Sequence, residues 1–173
     1  MSIEELIALC HHRWSAPVLA ELGRARGARF VVLVNRLGVG RASLQRTLAA
    51  LVELGLVRRN PGYGHPLRPE YKLAPKGEEV AARCRRLLEA LGDEREVALR
   101  KWSLPVLVAL RRTSRFSELR DELPGITPRA LALALKDLQS AGLVKRIVDE
   151  DAYPPTVRYG ATDTARPLQR ALT

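Results

Sequence analysis

The chain contains the same segment twice, and this duplication constrains its fold more than any other sequence feature. Trp14-Ser15 begins one copy and Trp102-Ser103 begins the other, at an offset of 88 residues. The segment ASLQRTLAALVELGLVRR (42–59) then matches RALALALKDLQSAGLVKR (129–146) at an offset of 87. Because the matched pieces keep their order and spacing, we interpret the chain as one folding unit duplicated in tandem.

The second copy shows most clearly a helix, a tight turn and another helix. Apolar residues in FSELRDEL (116–123) are spaced by three and four, which predicts one buried face of a helix. Pro124-Gly125 interrupts the pattern, and Thr127 followed by Pro128 is typical of a helix start. The buried positions predicted for this next helix are Leu131, Leu135 and Leu138. Two helices joined by so short a turn predict a helix-turn-helix unit.

A β-hairpin, or wing, is predicted after the second helix of each copy. In the second copy, alternating residues in 143–148 and 156–161 flank a turn at 149–155. The first copy has a longer loop, rich in Gly and Pro, at 60–71. Its preceding helix is predicted from about Ala42 to Leu54, and the buried positions expected there are Leu44, Leu48 and Leu51.

These patterns predict a mainly α fold with small β-wings, made of two tandem winged helix-turn-helix domains. We expect the first domain at residues 1–92 and the second at 93–173, with the seam near Gly92. A linker helix is expected over about 76–91, because Val80, Cys84 and Leu87 recur at helical spacing. Either a companion domain or a second chain has to cover that apolar face.

The net charge of the chain indicates a polyanionic partner. Lys and Arg number 29 against 19 Asp and Glu, a formal net charge of +10. Such a charge attracts polyanions through long-range fields and counterion release. Nucleic acid and an anionic membrane both fit the charge alone, but no apolar run is long enough to span a bilayer.

The amino terminus and the cysteines favour a reduced, cytoplasmic protein. The start MSIEELIALCHHRW is acidic and amphipathic, unlike a secretory signal. Cys10 and Cys84 belong to no CxxC pair, and we expect both to be reduced core residues.

The carboxyl half of the chain resembles the HxlR-type regulators, which are MarR-like winged helix-turn-helix proteins. The resemblance rests on the block from Lys101 to Arg146 and on YPPTVRYGATDTA (153–165), and it extends more loosely to 13–77. It implies promoter binding and function as a dimer, here either a homodimer or a pseudo-dimer within one chain. Some members sense oxidants through a Cys upstream of the Trp, a spacing that neither Cys10 nor Cys84 matches. The resemblance does not identify a small-molecule effector.

The second helix of each helix-turn-helix unit is expected to present its exposed stripe to the major groove of DNA. Arg can form paired hydrogen bonds with guanine, and Gln with adenine. In the second copy, Ala132 and Leu133 offer no hydrogen bonds, so the first copy is expected to supply most base contacts. The candidate base-reading residues are Arg41, Ser43, Gln45 and Arg46 in the first copy and Arg129 and Lys136 in the second. We expect Thr47 to lie beside those of the first copy.

Basic residues of the wings are candidates for binding DNA phosphates, which position a protein without reading sequence. Thr127 joins them because backbone N–H groups at a helix start favour an anion. The candidates are Arg58, Arg59 and Arg68 in wing one, and Lys145, Arg146 and Arg158 in wing two.

Enzyme and metal sites are weaker interpretations, and no cofactor is expected. FVVLVNRLGVGRAS (30–43) resembles a strand followed by a dinucleotide-binding glycine loop, but its duplicate lacks the glycine pair and no acidic residue follows at the required spacing. His11 and His12 beside Cys10 point in different directions on a helix, so they rarely share an ion.

The main alternative to a DNA-binding regulator is a tandem winged-helix adaptor that binds other proteins. The apolar Ala132-Leu133 pair favours this alternative for the second copy. The positive charge of the whole chain and the residues around Arg41 and Arg46 favour DNA.

Overall fold

The computed structural model describes residues 1–60, 69–149, 153 and 155–172. It divides into two compact units, each of which is described by itself. One unit is His12–Glu89, and the other combines Met1–His11 with Ala90–Thr173.

The first half of the chain contains five helices and three strands among its described residues. They are α1 (Ile3–Cys10), α2 (Ser15–Ala25), β1 (Ala28–Arg29), α3 (Phe30–Leu37), α4 (Arg41–Glu53), β2 (Val57–Asn60), β3 (Glu70–Leu73) and α5 (Pro75–Ala90).

The second half repeats this order of elements. They are α6 (Arg95–Ala98), α7 (Ser103–Ala109), β4 (Ser114–Arg115), α8 (Phe116–Glu122), α9 (Pro128–Ser140), β5 (Val144–Asp149), β6 (Thr156–Ala161), a 3-10 turn (Asp163–Ala165) and α10 (Arg166–Leu172).

Each unit has a three-stranded antiparallel sheet of the same topology, with strand order β1-β3-β2 in one and β4-β6-β5 in the other. In both, the hairpin follows the helix-turn-helix pair, and the third strand precedes it in the chain. The predicted tandem winged helix-turn-helix fold is therefore confirmed. The edge strands β1 and β4 were not predicted, because two residues are too few to show an alternating pattern.

The predicted stripes of α4 and α9 are buried. Leucine at these positions is removed almost completely from solvent, and each buried leucine contributes about 1.5–3 kcal/mol relative to an exposed one. The buried leucines are Leu44, Leu48 and Leu51 in α4 and Leu131, Leu135 and Leu138 in α9.

The dinucleotide-binding interpretation of 30–43 is wrong. Phe30–Leu37 is the helix α3, with Leu33 fully buried, and not a strand. Gly38 ends this helix with a left-handed φ of 61°, and Gly40 is the N-cap of α4. The two glycines thus form the turn of the helix-turn-helix unit.

Helix α5 begins and ends one residue earlier than the predicted linker helix. Its buried positions are Gly77, Ala81, Cys84 and Leu87, so small residues carry much of the contact. A Cβ built on Gly23 of α2 would lie 3.4 Å from the Cβ of Ala81. The amino-terminal part of α5 therefore packs closely against its own repeat.

Helix α1 belongs to the unit of the second repeat. It begins with a capping box in which the Ser2 side chain accepts from the Glu5 N–H and the Glu5 carboxylate accepts from the Ser2 N–H. Its buried face includes Leu6 and Leu9, and it packs against α7. The sequence analysis places this helix in the first domain, 1–92, whereas its contacts are with the second repeat.

Candidate nucleic-acid interface

Helix α4 has one buried face and one polar face, and the polar face carries the candidate base-reading residues. Arg41, Gln45 and Arg46 are exposed, and Ser43 is half-buried. Among the described residues no carboxylate pairs with Arg41 or Arg46, so both guanidinium groups keep their donors available. The helix thus presents two cations and one amide over its first two turns.

Thr47 does not join this face. Its side chain is only 1% exposed, and its hydroxyl donates to the carbonyl oxygen of Ser43 at 2.8 Å. The expectation that Thr47 lies beside the base-reading residues is wrong. The residue packs inward, and its hydroxyl makes its hydrogen bond within the helix.

The two candidate recognition helices begin differently. Gly40 caps α4 with no side-chain hydrogen bond, so the first N–H groups of α4 have no side-chain partner there. Thr127 caps α9, and its hydroxyl oxygen accepts from the N–H of Ala130 at 3.2 Å. The predicted helix start at Thr127 is confirmed, and its hydroxyl hydrogen can still donate to a phosphate.

Helix α9 presents a less polar surface than α4. Arg129 and Lys136 are exposed, and between them lie exposed Ala132 and Leu133, the latter 58% accessible. At the offset of 87, Ala132 stands where the first repeat has Gln45, and Leu133 where it has Arg46. The neighbouring Asp137 forms an ion pair with Arg100.

The wing cations divide between two faces of each hairpin, because consecutive strand residues point to opposite sides of a sheet. Arg58 and Arg59 are neighbours on β2, and Lys145 and Arg146 on β5. Arg58 and Lys145 line open clefts at the base of their wings. Arg158 is half-buried on β6, opposite Ile147 and Arg115. Arg68 lies outside the described residues.

Cys10 and Cys84 are buried, and no disulfide joins them. Burial raises the pKa of the Cys84 thiol to about 12, which keeps it protonated at neutral pH. Within the described ranges, no group of three or more His, Cys, Asp or Glu side chains is placed to hold a metal ion. No described helix is both long and apolar enough to cross a lipid bilayer.

Comparison with known proteins shows a family match over nearly the whole chain. The HxlR-like helix-turn-helix family matches residues 9–96 and again 97–173. The HTH-type transcriptional regulator YtfH of Escherichia coli K12 is 40% identical over 63 residues, covering 36% of this chain and 49% of that protein. YvaP of Bacillus subtilis, another HTH-type transcriptional regulator, is 34% identical over 74 residues, covering 42% of this chain and 68% of that protein.

Coverage of the relatives is partial. The matches span about half the length of YtfH and of similar regulators from other organisms. A crystal structure described as a putative MarR-family transcriptional regulator from Porphyromonas gingivalis W83 is 31% identical, with a TM-score of 0.39, and covers 44% of this chain and 72% of that one.

Proposed function

Because this chain belongs to the HxlR-like helix-turn-helix family, we propose that it is a transcriptional regulator that binds double-stranded DNA in a sequence-specific manner. The named relatives are transcriptional regulators, which form a non-enzymatic class. A cytoplasmic location follows from this proposal.

The polar face of α4 is the observation that carries the proposal. Arg41, Gln45 and Arg46 are exposed on the helix whose opposite face packs into the first repeat. An α-helix fits the major groove, where Arg can fork onto the two acceptors of guanine and Gln onto adenine. We assign most base contacts to these three residues, with Ser43 beside them.

Basic residues around α4 and α9 would hold the protein against the DNA backbone. Phosphate contacts fix the register of a protein on the duplex and make its affinity depend steeply on salt. We assign this role to the exposed wing residues Arg59 and Arg146, to the helix start at Thr127 and to Arg158. Arg68, Arg58 and Lys145 complete the proposed set, the last two from the wing base.

The second repeat is proposed to bind DNA more weakly than the first. Arg129 and Lys136 can contact DNA, but Ala132 and Leu133 can at most touch thymine methyl groups. The exposure of Leu133 also favours a second candidate function, in which α9 binds another protein while α4 binds DNA.

One chain carries two copies of the reader, which a single-domain regulator obtains only by dimerising. We propose either an intrachain pseudo-dimer or a homodimer of the whole chain. If both readers face one side of the duplex, their half-sites lie about one helical turn apart, ~34 Å.

Selection of bound fragments from random duplex DNA by the full chain tests the proposal. We expect one motif to be enriched, and the logarithm of its binding constant to fall linearly with the logarithm of the salt concentration. Arg41→Ala with Arg46→Ala serves as the variant that should lose the motif. No enrichment, together with binding that is absent or independent of salt, would leave the adaptor function as the better account.

A further inference from the structure

Each repeat has an open cleft at the same place. It lies between the end of α2 or α7, the base of the wing, and the helix that follows the wing, α5 or α10. The first cleft has a volume of about 420 Å³ and the second about 530 Å³. Both volumes lie in the range of small-molecule sites. Four lining positions of the first cleft correspond to lining positions of the second, at offsets of 87 or 88. The pairs are Leu22 with Leu110, Arg24 with Arg112, Arg58 with Lys145, and Leu73 with Ala161.

Cations line both clefts, and carboxylates pair with some of those of the first. Arg24 donates to Glu21 at 2.9 and 3.0 Å, and Lys72 pairs with Glu70 at 3.0 Å. Glu78 itself lines the first cleft. Arg24, Lys72 and Arg85 of the first cleft thus each have a carboxylate partner, whereas none is found among the described residues for Arg26 and Arg58.

The second cleft has lost these carboxylates. Ala109 occupies the position of Glu21, and Arg166 the position of Glu78. Arg111, at the position of Gly23, adds a further cation. Arg166 pairs with Asp163 at 2.9 Å, but across the described part of the chain no carboxylate pairs with Arg111, Arg112 or Lys145.

At the floor of the second cleft, Thr113 and Lys145 pack over a glycine. Gly160 lies where the first repeat has Lys72, so no side chain projects from this position of the sheet. A Cβ there would come within 3.1 Å of Thr113 Cγ2 and 3.6 Å of Lys145 Cε. Leu110 and Ala161 provide apolar surface beside the cations.

The wall formed by α10 is fixed to α7 by a side chain. The Gln169 side-chain amide donates to the carbonyl oxygens of Leu107 and Leu110, at 2.6 and 3.1 Å. These carbonyls lie at the carboxyl end of α7, and the two hydrogen bonds offset part of the negative charge of that helix end.

We propose that the cleft of the second repeat binds a small organic anion with more than one negative charge, such as a phosphate ester or a polycarboxylate. Arg111 and Arg112 would contact the charged groups, and Leu110 and Ala161 the apolar part. Lys145 also lines this cleft and is shared with the proposed DNA contacts. The proposal concerns a ligand site and does not depend on which repeat reads DNA.

Calorimetric titration of the full chain with inorganic pyrophosphate and with citrate, at low salt and without phosphate in the buffer, tests the site. We expect saturable binding of one of the probes to one site per chain. Arg111→Gln with Arg112→Gln should weaken that binding at least tenfold. The matched control, Arg24→Gln with Arg85→Gln, removes two cations from the first cleft and should change it less than threefold.

Three results would overturn the proposal. The first is that neither probe saturates the wild-type chain below about 10 mM, an affinity too weak for a formed site. The second is that the two double variants lose equal affinity, which would show a general attraction to a basic protein. The third is that Arg111→Gln with Arg112→Gln weakens duplex DNA binding tenfold without changing probe binding, which would assign these arginines to the DNA backbone. Unchanged DNA affinity, together with lost probe binding, supports the anion site.

Discussion

Gly77 and Leu56 are in backbone contact: a Cβ atom on Gly77 would overlap the carbonyl oxygen of Leu56. The same oxygen accepts from the N–H of Ala74 at 2.9 Å, so it is held at the start of α5. Helix α5 therefore packs at Gly77 against the backbone of Leu56, which lies between α4 and β2, and this contact leaves no room for a side chain at Gly77.

Replacing Gly77 by Ala is expected to destabilise the first repeat by about 1–3 kcal/mol, because backbone has to move to make room for the methyl group. Urea denaturation followed by circular dichroism measures the change. Gly40→Ala is the control, since a Cβ at Gly40 meets nothing within 4 Å, and it should cost less than about 1 kcal/mol. A Gly77→Ala variant as stable as the wild type would contradict the close contact.

Removal of the cap at Thr127 is expected to destabilise the second repeat by about 0.5–2 kcal/mol, because the N–H of Ala130 loses its acceptor. Thermal or urea denaturation of Thr127→Ala tests this. Thr127→Ser keeps the hydroxyl and should stay near the wild type. Equal stability of all three proteins would show that the cap contributes nothing.

Glu21 is expected to stabilise the first repeat in a pH-dependent manner. Hydrogen bonds from Arg24, and then from Arg36, lower the pKa of the Glu21 carboxyl below its ordinary value of 4.5. A lowered folded-state pKa gives stability that is complete above the ordinary value and is lost as the pH falls through the folded-state value.

Glu21→Gln should accordingly cost up to about 1 kcal/mol at pH 7, the upper end of what surface ion pairs contribute. The difference from the wild type should shrink progressively below pH 4.5. Urea denaturation of both proteins at pH 7 and at pH 3 makes the comparison, and a difference that does not shrink at pH 3 would contradict this origin.

Cys84 is expected to be unreactive in the folded protein. Burial raises the pKa of its thiol to about 12, so the thiolate is scarce at pH 8. In a Cys10→Ala variant, a chromogenic disulfide reagent should label Cys84 slowly in buffer and rapidly in urea. Labelling at similar rates in the two solvents would show that the thiol is accessible without unfolding.

The repeat, the helix-turn-helix order and the buried leucines could be predicted from sequence, because each depends on local periodicity. The edge strands could not, because β1 and β4 form only by pairing with distant residues, Ala28 with Tyr71 and Ser114 with Tyr159. The packing of α1 on α7 depends on contacts almost a hundred residues apart, for which one sequence gives no signal.

The candidate site shows the same limit. Exposure of Arg41, Gln45 and Arg46 followed from the period of α4, whereas the inward position of Thr47 depends on how the helix packs. The clefts were missed because their walls come from three separate elements. Alignment of the two repeats would have shown Arg24 recurring as Arg112, which was the available signal.

We propose that α4 reads bases while α9 contributes little, and Arg46 and Leu133 occupy equivalent positions of these two helices. Arg46→Ala and Leu133→Ala can therefore be compared for affinity to the selected DNA site, at one fixed salt concentration. We expect a loss of ~1–3 kcal/mol for Arg46→Ala, with relaxed preference at one base pair, and less than about 0.5 kcal/mol for Leu133→Ala. If Arg46→Ala leaves the affinity unchanged, or if Leu133→Ala costs more than Arg46→Ala, then α4 is not the principal reader.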